Sequence, residues 1–459
     1  NLFYYSRRLS FIFSNIWRLL SLFVIFRLAF VLLFIHNKTG DLSDLLQALW
    51  IGSRFDFRLA CLILIPIVIA FLIPIYNPLN HSFLRLLSKI YLKLSTLVII
   101  FLYCFDLGNY SYLEQRIDIS SLKLLENPLI AFGMAWESYP MAFILFGLFL
   151  IIIFVWRQID KTFIVLNNRP KIFNFSQNVI GSFITGIILI LAIWGTFRQY
   201  RLLWSDAHFS NDPFIVASAI NPILYLNETR SFALEEFNEQ KTRSNYDLMV
   251  KELNVNNPNS STLSFTRLIT KRNLNNQPNI VVIFLESVGY NRMSRSGNPL
   301  NPTPNLDELS SHSIFFDRFY IPMVGTARSV FALITGIHDV ASVETASSNP
   351  RIVDQYSSIN ALTNYEKYYI MGGSASWRNV RSLLKNNIPD IKIMEQDQMD
   401  YPRLDIWGIS DNNLFKVAHE TFENINSSNP FFAIVQTATN HRPYSIPEDV
   451  KEFNLIDVD

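Results

Sequence analysis

Hydrophobic residues dominate the first 200 positions of the chain, and beyond them short apolar runs alternate with polar stretches. A helix needs roughly 20 apolar residues to cross a hydrocarbon core of about 30 Å. Five segments reach or approach that length: Ile16–Ile35, Leu59–Tyr76, Leu92–Leu107, Met141–Trp156 and Val179–Phe197. Because they have no polar face to turn toward water, they do not fit the helices of a soluble protein. The pattern predicts a multi-pass membrane domain of about five helices over residues 1–199.

Charged residues in the loops predict the orientation of this domain. The loop between the second and third segments contains basic residues and no acid: Arg85, Lys89 and Lys93. The next loop is acidic. Its basic residues are Arg116 and Lys123, and its acidic residues are Asp106, Glu114, Asp118, Glu126 and Glu137. Since basic loops stay in the cytoplasm, the N-terminus is predicted inside and everything after Phe197 outside.

Three arginines fall within or near the predicted spans. Arg27 lies inside the first one, where a charge is costly, so we expect it to face other helices. Arg54 and Arg58 fall in the first outer loop. We expect them to anchor that loop at the membrane interface or to contact anionic lipid head groups.

Charge and cysteine content exclude two classes of protein. The net charge of +1 gives no electrostatic basis for binding nucleic acid. Cys61 and Cys104 are the only cysteines and both lie in apolar runs, so neither a disulfide framework nor a catalytic thiolate is expected. The chain begins at Asn1 rather than Met and stops at Asp459 without an obvious terminal element. We therefore expect a fragment at both ends.

Residues 200–277 form a polar connector with apolar patches. Pro213–Leu226 is predicted as an amphipathic helix on the membrane surface. The turn-rich stretches Asn254–Ser261 and Asn273–Pro278 are predicted to be linkers.

Strands and helices alternate in the remainder, residues 278–459. The predicted strands are Asn279–Glu286, Tyr368–Met371, Ile391–Met394 and Pro430–Gln436. The predicted helices are Ala327–Ile334, Asn379–Asn387 and Ser410–Asn426. Such alternation, with nearly continuous apolar strands, is typical of an α/β domain with a mainly parallel sheet.

Three residues lie at positions where domains of this type usually bind ligands. Glu286 ends the first strand and His441 follows the last one, and ligands gather at the carboxyl ends of parallel strands. Thr326 begins a helix, where backbone amides and the helix dipole favour an anionic group. Taken singly, each has an ordinary explanation: a capping or solvated glutamate, an N-cap threonine and a loop histidine.

Their combination resembles a known family. The strand ending at Glu286, the segment Asn301–Leu309, Thr326 and the segment Thr439–Tyr444 occur in the order seen in the sulfatase-like branch of the alkaline phosphatase superfamily. With five apolar segments before them, they make the chain similar to the lipoteichoic acid synthase family. The resemblance implies an alkaline-phosphatase-like catalytic domain outside a bacterial cell (inner) membrane.

The resemblance also implies an activity. Members of that family move phosphoglycerol from phosphatidylglycerol through a covalent threonine intermediate. The expected partners are therefore a membrane phospholipid donor and an envelope glycan or polymer acceptor. The implied cofactor is a divalent metal, manganese first, with magnesium or zinc as alternatives. Nothing in the sequence predicts an oligomeric state.

Six positions carry the family's site residues. Thr326 matches the nucleophile, which also touches the metal, and Glu286 matches the metal-binding glutamate. His441 and Trp377 match substrate-binding residues. The family's arginine two places after that tryptophan is not matched, and the flanking Arg378 and Arg381 are its expected substitutes.

One element of the family's metal site has no counterpart. An adjacent Asp-His pair is expected downstream of His441, and none occurs before Asp459. The expectation is that the domain is truncated at its C-terminus before the pair, so that Glu286 and Thr326 supply only part of the metal site.

Three alternative functions stay open at this point. A phosphoethanolamine transferase would use the same threonine chemistry. A sulfatase-like hydrolase would need a cysteine or serine modified to formylglycine where Thr326 stands. A non-catalytic membrane scaffold would keep the fold without the activity.

Overall fold

The computed structural model of the chain describes residues 7–72, 78–119, 121–122, 132, 136, 139–168, 175–230, 238–267, 277–321, 324–339, 345–349, 357–425, 429–441 and 444–447. Its N-terminal part is helical and apolar, and its C-terminal part is an α/β domain.

Among the residues that the structure describes, five apolar helices make up the N-terminal part. They are α1 (Arg7–Phe34), α2 (Leu42–Leu72), α3 (Ser82–Leu113), α4 (Met141–Asn168) and α5 (Phe175–Trp194). Each predicted apolar segment overlaps one of them, and residues 73–77 lie outside the described residues. Within the described part of the chain, three helices are long and apolar enough to cross a membrane: Arg7–Asn37, Ser82–Leu113 and Met141–Asn168. They indicate that the protein associates with a membrane.

A buried ion pair joins α1 to α2. The Arg27 guanidinium donates from Nε and NH2 to the two carboxylate oxygens of Asp56, at 2.9 and 2.7 Å. Asn221, from the connector, donates to the same carboxylate at 2.8 Å. Arg27 therefore faces other elements of the protein, as predicted. Removal of either Arg27 or Asp56 would leave the other as an unpaired buried charge.

The connector begins with two short helices in place of the single predicted one. They are α6 (Pro213–Ala219) and α7 (Pro222–Thr229). Each starts with a proline, and the side chains of Asp212 and Asn221 cap them by accepting from backbone N–H groups. Phe214 and Ile215 are fully buried in a cluster with residues of α1 and α2. Two further helices follow, α8 (Glu239–Ser244) and α9 (Tyr246–Glu252).

Arg54 and Arg58 of α2 hold the loop that follows α5, residues 195–202, which we call the exit loop. Arg54 donates to the carbonyl oxygen of Gly195 from Nε at 2.8 Å and from NH2 at 2.6 Å. Arg58 donates to the carbonyl oxygen of Leu202 at 2.6 Å. Both ends of the exit loop are thus fixed to α2. The prediction that these arginines lie in a loop is wrong, because both belong to helix α2, and they donate to backbone carbonyls of the exit loop.

In its described segments, the C-terminal part contains four strands and four α-helices. The strands are β1 (Ile280–Phe284), β2 (Glu366–Met371), β3 (Lys392–Met394) and β4 (Phe431–Gln436). The helices are α10 (Pro304–Ser311), α11 (Thr326–Thr335), α12 (Val380–Asn387) and α13 (Asp411–Glu423). All strand pairs are parallel, in the order β1-β4-β2-β3, which confirms the predicted sheet.

Alternating side chains of the sheet pack against helices on its two faces. Tyr369 and Ile434 lie in a cluster with the apolar side of α11 and α12. The next residue of each strand, Ile370 and Val435, lies in a second cluster with the apolar side of α13. Because both faces are covered, β4 is buried along its whole length.

The register brings three strand ends together. Gln436 at the end of β4 pairs with Phe284 at the end of β1 and with Met371 at the end of β2. The loops that follow these three strands therefore leave the sheet side by side, at the edge where parallel sheets bind ligands.

Candidate active site

The loop after β1 and the start of α11 meet at one hydrogen bond. The Thr326 hydroxyl donates to Oε1 of Glu286 at 2.7 Å. The N-cap of α11 is Gly325, with φ +111°, a conformation that side-chain-bearing residues rarely adopt. Thr326 is therefore the first helical residue, and the explanation as an N-cap threonine is wrong. Its hydroxyl points to a carboxylate of another loop.

Glu286 is a buried carboxylate with several polar neighbours. The residue is only 7% exposed. Its Oε1 also accepts from the Ser287 hydroxyl at 3.0 Å and lies 3.2 Å from Nε2 of His441. The backbone N–H of Glu286 donates to the Thr437 hydroxyl at 2.7 Å, which ties the loop after β1 to the loop after β4. A capping or solvated glutamate does not fit this arrangement.

His441 is positioned by contacts on both sides of its loop. Asp411, at the start of α13, accepts from the backbone N–H groups of Ala438 and Thr439 at 3.2 and 3.3 Å. The Asn440 side chain donates to the carbonyl oxygen of Ser287 at 2.7 Å. The Trp407 ring stacks on the His441 ring, with centroids 4.3 Å apart. The imidazole is therefore held beside Glu286.

A close backbone approach places Trp407. Gly408 has φ +153°, and a Cβ there would lie 2.0 Å from the carbonyl oxygen of Gly372, in the loop after β2. The Ile409 N–H donates to that same carbonyl at 3.0 Å. Only glycine fits this contact, and the contact brings the Trp407 loop against the strand ends.

These residues line an open cleft of about 380 Å³, which we call the catalytic cleft. Its lining is Tyr200, Glu286, Thr326, Met371, Gly373, Ser374, Trp377, Trp407, Gln436, Thr437, Ala438 and His441. Four of the six predicted site residues are thus brought together, which are Glu286, Thr326, Trp377 and His441. The sequence did not indicate Tyr200, an aromatic residue just after a predicted span, or Trp407, in a short irregular loop.

Arg378 and Arg381 lie outside the lining of this cleft. The guanidinium of Arg381 forms an ion pair with Glu395, and both side chains are largely buried. Glu395 in turn accepts from the Ala375 N–H at 2.8 Å and from the Ser374 hydroxyl at 3.1 Å. Arg381 is thus linked through Glu395 to the loop after β2. The predicted contact of the two arginines with substrate stays a prediction.

Two tyrosines near the cleft are held in the neutral form. Burial raises the pKa of Tyr369, and the nearby Glu286 carboxylate raises it further. Burial also raises the pKa of Tyr200, against a smaller opposite effect of Arg403. Both hydroxyls keep their proton at physiological pH, and the Tyr369 hydroxyl donates to the side-chain oxygen of Gln436.

The donor atoms in the cleft suit part of a metal site. The Thr326 hydroxyl and the His441 imidazole both lie within 3.2 Å of Oε1 of the Glu286 carboxylate. Oxygen and nitrogen donors fit a divalent cation, which needs more than three of them. Among the residues that the structure describes, no group of three or more His, Cys, Asp or Glu converges on one point. Glu286 and Thr326 therefore fit as two ligands of a larger set.

The sequence of this domain matches a known family. Residues 278–455 match the sequence model of the sulfatase family. A stretch of 59 residues is 42% identical to arylsulfatase A of Homo sapiens and 41% identical to arylsulfatase A of Bos taurus. It covers 13% of this chain and 12% of each relative, so the chain spans about an eighth of their length.

One solved structure is also similar. It is a protein of the alkaline phosphatase superfamily from Vibrio parahaemolyticus, with 25% identity, over 48% of this chain and 54% of that chain, at a TM-score of 0.40. The sulfatase match, the parallel sheet and the residues at its carboxyl edge agree with one another. N-terminal apolar helices thus precede a domain that has a parallel sheet and is similar in sequence to the sulfatase family.

Proposed function

We propose that the protein is a membrane-bound phosphotransferase that moves phosphoglycerol from phosphatidylglycerol to an envelope glycan or polymer. The observation that carries the proposal is the Thr326 hydroxyl donating to the buried Glu286 carboxylate, with His441 on the same oxygen. A threonine hydroxyl is inert at its free pKa and needs such an activating neighbour to act as a nucleophile.

In the first step Thr326 Oγ1 attacks the phosphorus of the donor. A bond forms between that oxygen and phosphorus, and the bond from phosphorus to the diacylglycerol oxygen breaks. The threonine proton passes to Oε1 of Glu286, its hydrogen-bond acceptor at 2.7 Å. His441, 3.2 Å from the same oxygen, delivers a proton to the leaving diacylglycerol. The phosphoglycerol group remains on Thr326 as a phosphodiester.

The second step uses the same groups in reverse. An acceptor hydroxyl attacks the phosphorus, its proton passes through His441 and Glu286, and Thr326 Oγ1 regains a proton as it leaves. A divalent cation held by Glu286 and Thr326 would lower the pKa of the Thr326 hydroxyl and neutralise a phosphate oxygen. The residues' own task is to position the reacting oxygen and phosphorus, which supplies much of phosphoryl-transfer catalysis.

The membrane helices support a lipid as the donor. The exit loop, which directly follows the apolar helix α5, supplies Tyr200 to the catalytic cleft. A phospholipid head group and the catalytic threonine would then meet at one surface. The proposal places the catalytic domain outside the cytoplasm of a bacterial inner membrane, because the basic loops favour that orientation.

Thr326 argues against sulfate-ester hydrolysis by the formylglycine route. Formylglycine carries an aldehyde at Cβ, which a cysteine or serine side chain can yield. Threonine has an additional methyl group on Cβ, so its oxidation gives a ketone instead. Both cysteines of the chain, Cys61 and Cys104, lie in the apolar helices α2 and α3.

The test compares lipids and a nucleophile variant in the full-length protein supplied with manganese. Vesicles of phosphatidylglycerol or phosphatidylethanolamine are mixed with wild type, Thr326→Ala or Thr326→Ser, and diacylglycerol release is measured. We expect release from phosphatidylglycerol, a loss of at least roughly 100-fold in Thr326→Ala, and partial activity in Thr326→Ser, which keeps a hydroxyl. Equal release by Thr326→Ala overturns the covalent assignment. Release only from phosphatidylethanolamine assigns the other head group.

A further inference from the structure

One amide of the catalytic cleft is held in a fixed orientation. Gln436 is the last residue of β4 and lines the cleft. Its side-chain oxygen accepts from the hydroxyl of Tyr369, a fully buried residue of β2. Because that oxygen is occupied, the amide nitrogen with its N–H groups is the part of the side chain that remains for a ligand in the cleft.

The geometry of the sheet places this amide on the side of Thr326. Side chains alternate along a strand, so Gln436 lies on the same face of β4 as Ile434. Ile434 packs in the cluster that contains the apolar side of α11, and Thr326 is the first residue of α11. The register also sets Gln436 opposite Phe284, two residues before Glu286. The amide therefore lies on the face of the sheet where Thr326 and Glu286 meet.

A phosphate in this cleft depends on neutral groups for its hydrogen bonds. Among the described residues that line the cleft, none is lysine or arginine. Glu286 brings a negative charge, and His441 is cationic only when it is protonated. An N–H group that donates to an anionic oxygen forms a charge-assisted hydrogen bond, which is stronger than one between neutral groups. An amide nitrogen supplies such a donor without the cost of burying a cation.

We propose that Gln436 binds substrate, its amide N–H donating to a nonbridging oxygen of the transferred phosphate. Tyr369 is the positioning residue that fixes the amide for this contact. The inference rests on the proposed function and adds a residue to its site. The amide keeps its protons in both transfer steps. Its part is to stabilise negative charge on the phosphate while the bond from phosphorus to Thr326 Oγ1 forms and later breaks.

The alternative is that Gln436 serves only as the partner of a buried hydroxyl. Tyr369 needs an acceptor, because a buried hydroxyl without one is costly. That role involves only the amide oxygen and is independent of the substrate. The position of Gln436 at the carboxyl edge of the sheet, where parallel sheets bind ligands, favours a contact with substrate. The two roles differ in whether the reaction depends on the nonbridging oxygens of the phosphate.

Sulfur substitution in the lipid tests the contact. The full-length protein with manganese is given vesicles of phosphatidylglycerol or of its Rp or Sp phosphorothioate, in which sulfur replaces one nonbridging oxygen, and diacylglycerol release is measured at saturating lipid. Sulfur is a weak hydrogen-bond acceptor, so the wild type should lose rate with the isomer whose sulfur faces Gln436.

Gln436→Met has a side chain of similar length without the amide. We expect its kcat for the oxygen lipid to fall about 100-fold, as for the loss of one donor to a developing negative charge. The rate ratio of oxygen to sulfur lipid should fall about tenfold for that one isomer and stay as in the wild type for the other, because the two changes remove the same contact.

Two tyrosine variants complete the test. Tyr369→Phe removes only the hydroxyl that holds the amide, so kcat should fall less than in Gln436→Met and the sulfur dependence should fall for the same isomer. Tyr368→Phe is the matched control in β2. Its side chain packs on the other face of the sheet, and its hydroxyl donates to Glu366 at 2.7 Å, outside the catalytic cleft. Tyr368→Phe should keep the wild-type kcat and sulfur dependence, and thermal melting checks that each variant folds.

Two results overturn the inference: equal rates of the wild type with both phosphorothioate isomers, or a sulfur dependence in Gln436→Met that matches the wild type for both. If Gln436→Met does not fold, Tyr369→Phe decides, and an unchanged sulfur dependence in that variant overturns the contact. Failure of the proposed function is distinct, because the wild type then shows no Thr326-dependent release of diacylglycerol. If release occurs only from phosphatidylethanolamine, the phosphorothioates of that lipid decide in the same way.

Discussion

At the scale of single residues, the candidate site depends on what each side chain contacts. Thr326 has the position of a helix-capping residue in the sequence, yet its hydroxyl donates to Glu286 in another loop. Glu286 is buried and has hydroxyl and imidazole neighbours on one oxygen. A buried carboxylate is stable only with such partners, and the partners here are also the groups that a nucleophilic hydroxyl needs.

Arg381 is the residue for which the structure and the family resemblance differ most, and a pair of variants separates the two. Removing Arg381 leaves Glu395 as a largely buried charge without its ion-pair partner. We expect Arg381→Met to lower the free energy of unfolding by about 3 kcal/mol and Arg381→Met with Glu395→Gln to recover most of it. Thermal or denaturant melting measures the stability. A raised KM for phosphatidylglycerol at unchanged stability would instead favour the head-group contact.

At the scale of elements, periodicity predicted the α/β domain well. The predicted strand Pro430–Gln436 is β4, and the predicted helix Ser410–Asn426 is α13, with the Ser410 side chain accepting from a backbone N–H as its cap. Such features are encoded locally, in apolar runs and capping residues. The predicted helix Pro213–Leu226 divides in two because Asn221 and Pro222 start a new helix within it.

The parts of the site that the sequence did not indicate depend on contacts between distant segments. Tyr200 enters the catalytic cleft because Arg54 and Arg58 fix the exit loop, which lies about 140 positions further along the chain. Trp407 enters it because Gly408 packs on Gly372. Neither contact produces a periodic pattern, so neither residue is predictable from local sequence.

The contact at Gly408 gives a prediction at this scale. In Gly408→Ala the new Cβ meets the carbonyl oxygen of Gly372 and the backbone is strained at φ +153°. We expect a loss of about 2–3 kcal/mol in the free energy of unfolding and a lower kcat/KM, because Trp407 shifts away from His441. Gly297→Ala is the matched control: its φ is +89° but its Cβ would have open space, so about 1 kcal/mol is expected without a loss of activity. Equal effects of the two substitutions would contradict the role of the close approach.

At the scale of the whole molecule, one short segment joins the membrane helices to the catalytic domain. The turn Trp204–Ala207 packs against both α2 and α12. The exit loop just before it is fixed to α2 by Arg54 and Arg58, and Gln199 contacts the catalytic domain through Arg403. The stability of this junction therefore controls whether Tyr200 stays in the catalytic cleft.

Protonation of His208, the residue after that turn, is expected to weaken the junction in acid. Burial lowers the pKa of His208 from 6.5 to about 4. The unfolded chain therefore binds a proton between these pH values while the folded protein does not, and folding loses stability as the pH falls through that window. The full loss is about 3 kcal/mol, at about 1.36 kcal/mol for each pH unit. Stability from this residue is complete above about pH 6.5.

The melting temperature of the full-length protein in detergent, measured between about pH 7.5 and about pH 4.5, tests this expectation. The wild type should melt at a lower temperature at the acidic end, and His208→Phe should show a smaller decrease, since phenylalanine has no proton to gain. His419→Phe changes a histidine on the exposed side of α13 and should keep the wild-type pH dependence, because that ring is solvated in both states. If His208→Phe and the wild type lose stability in parallel, other groups cause the acid sensitivity and the junction is not its origin.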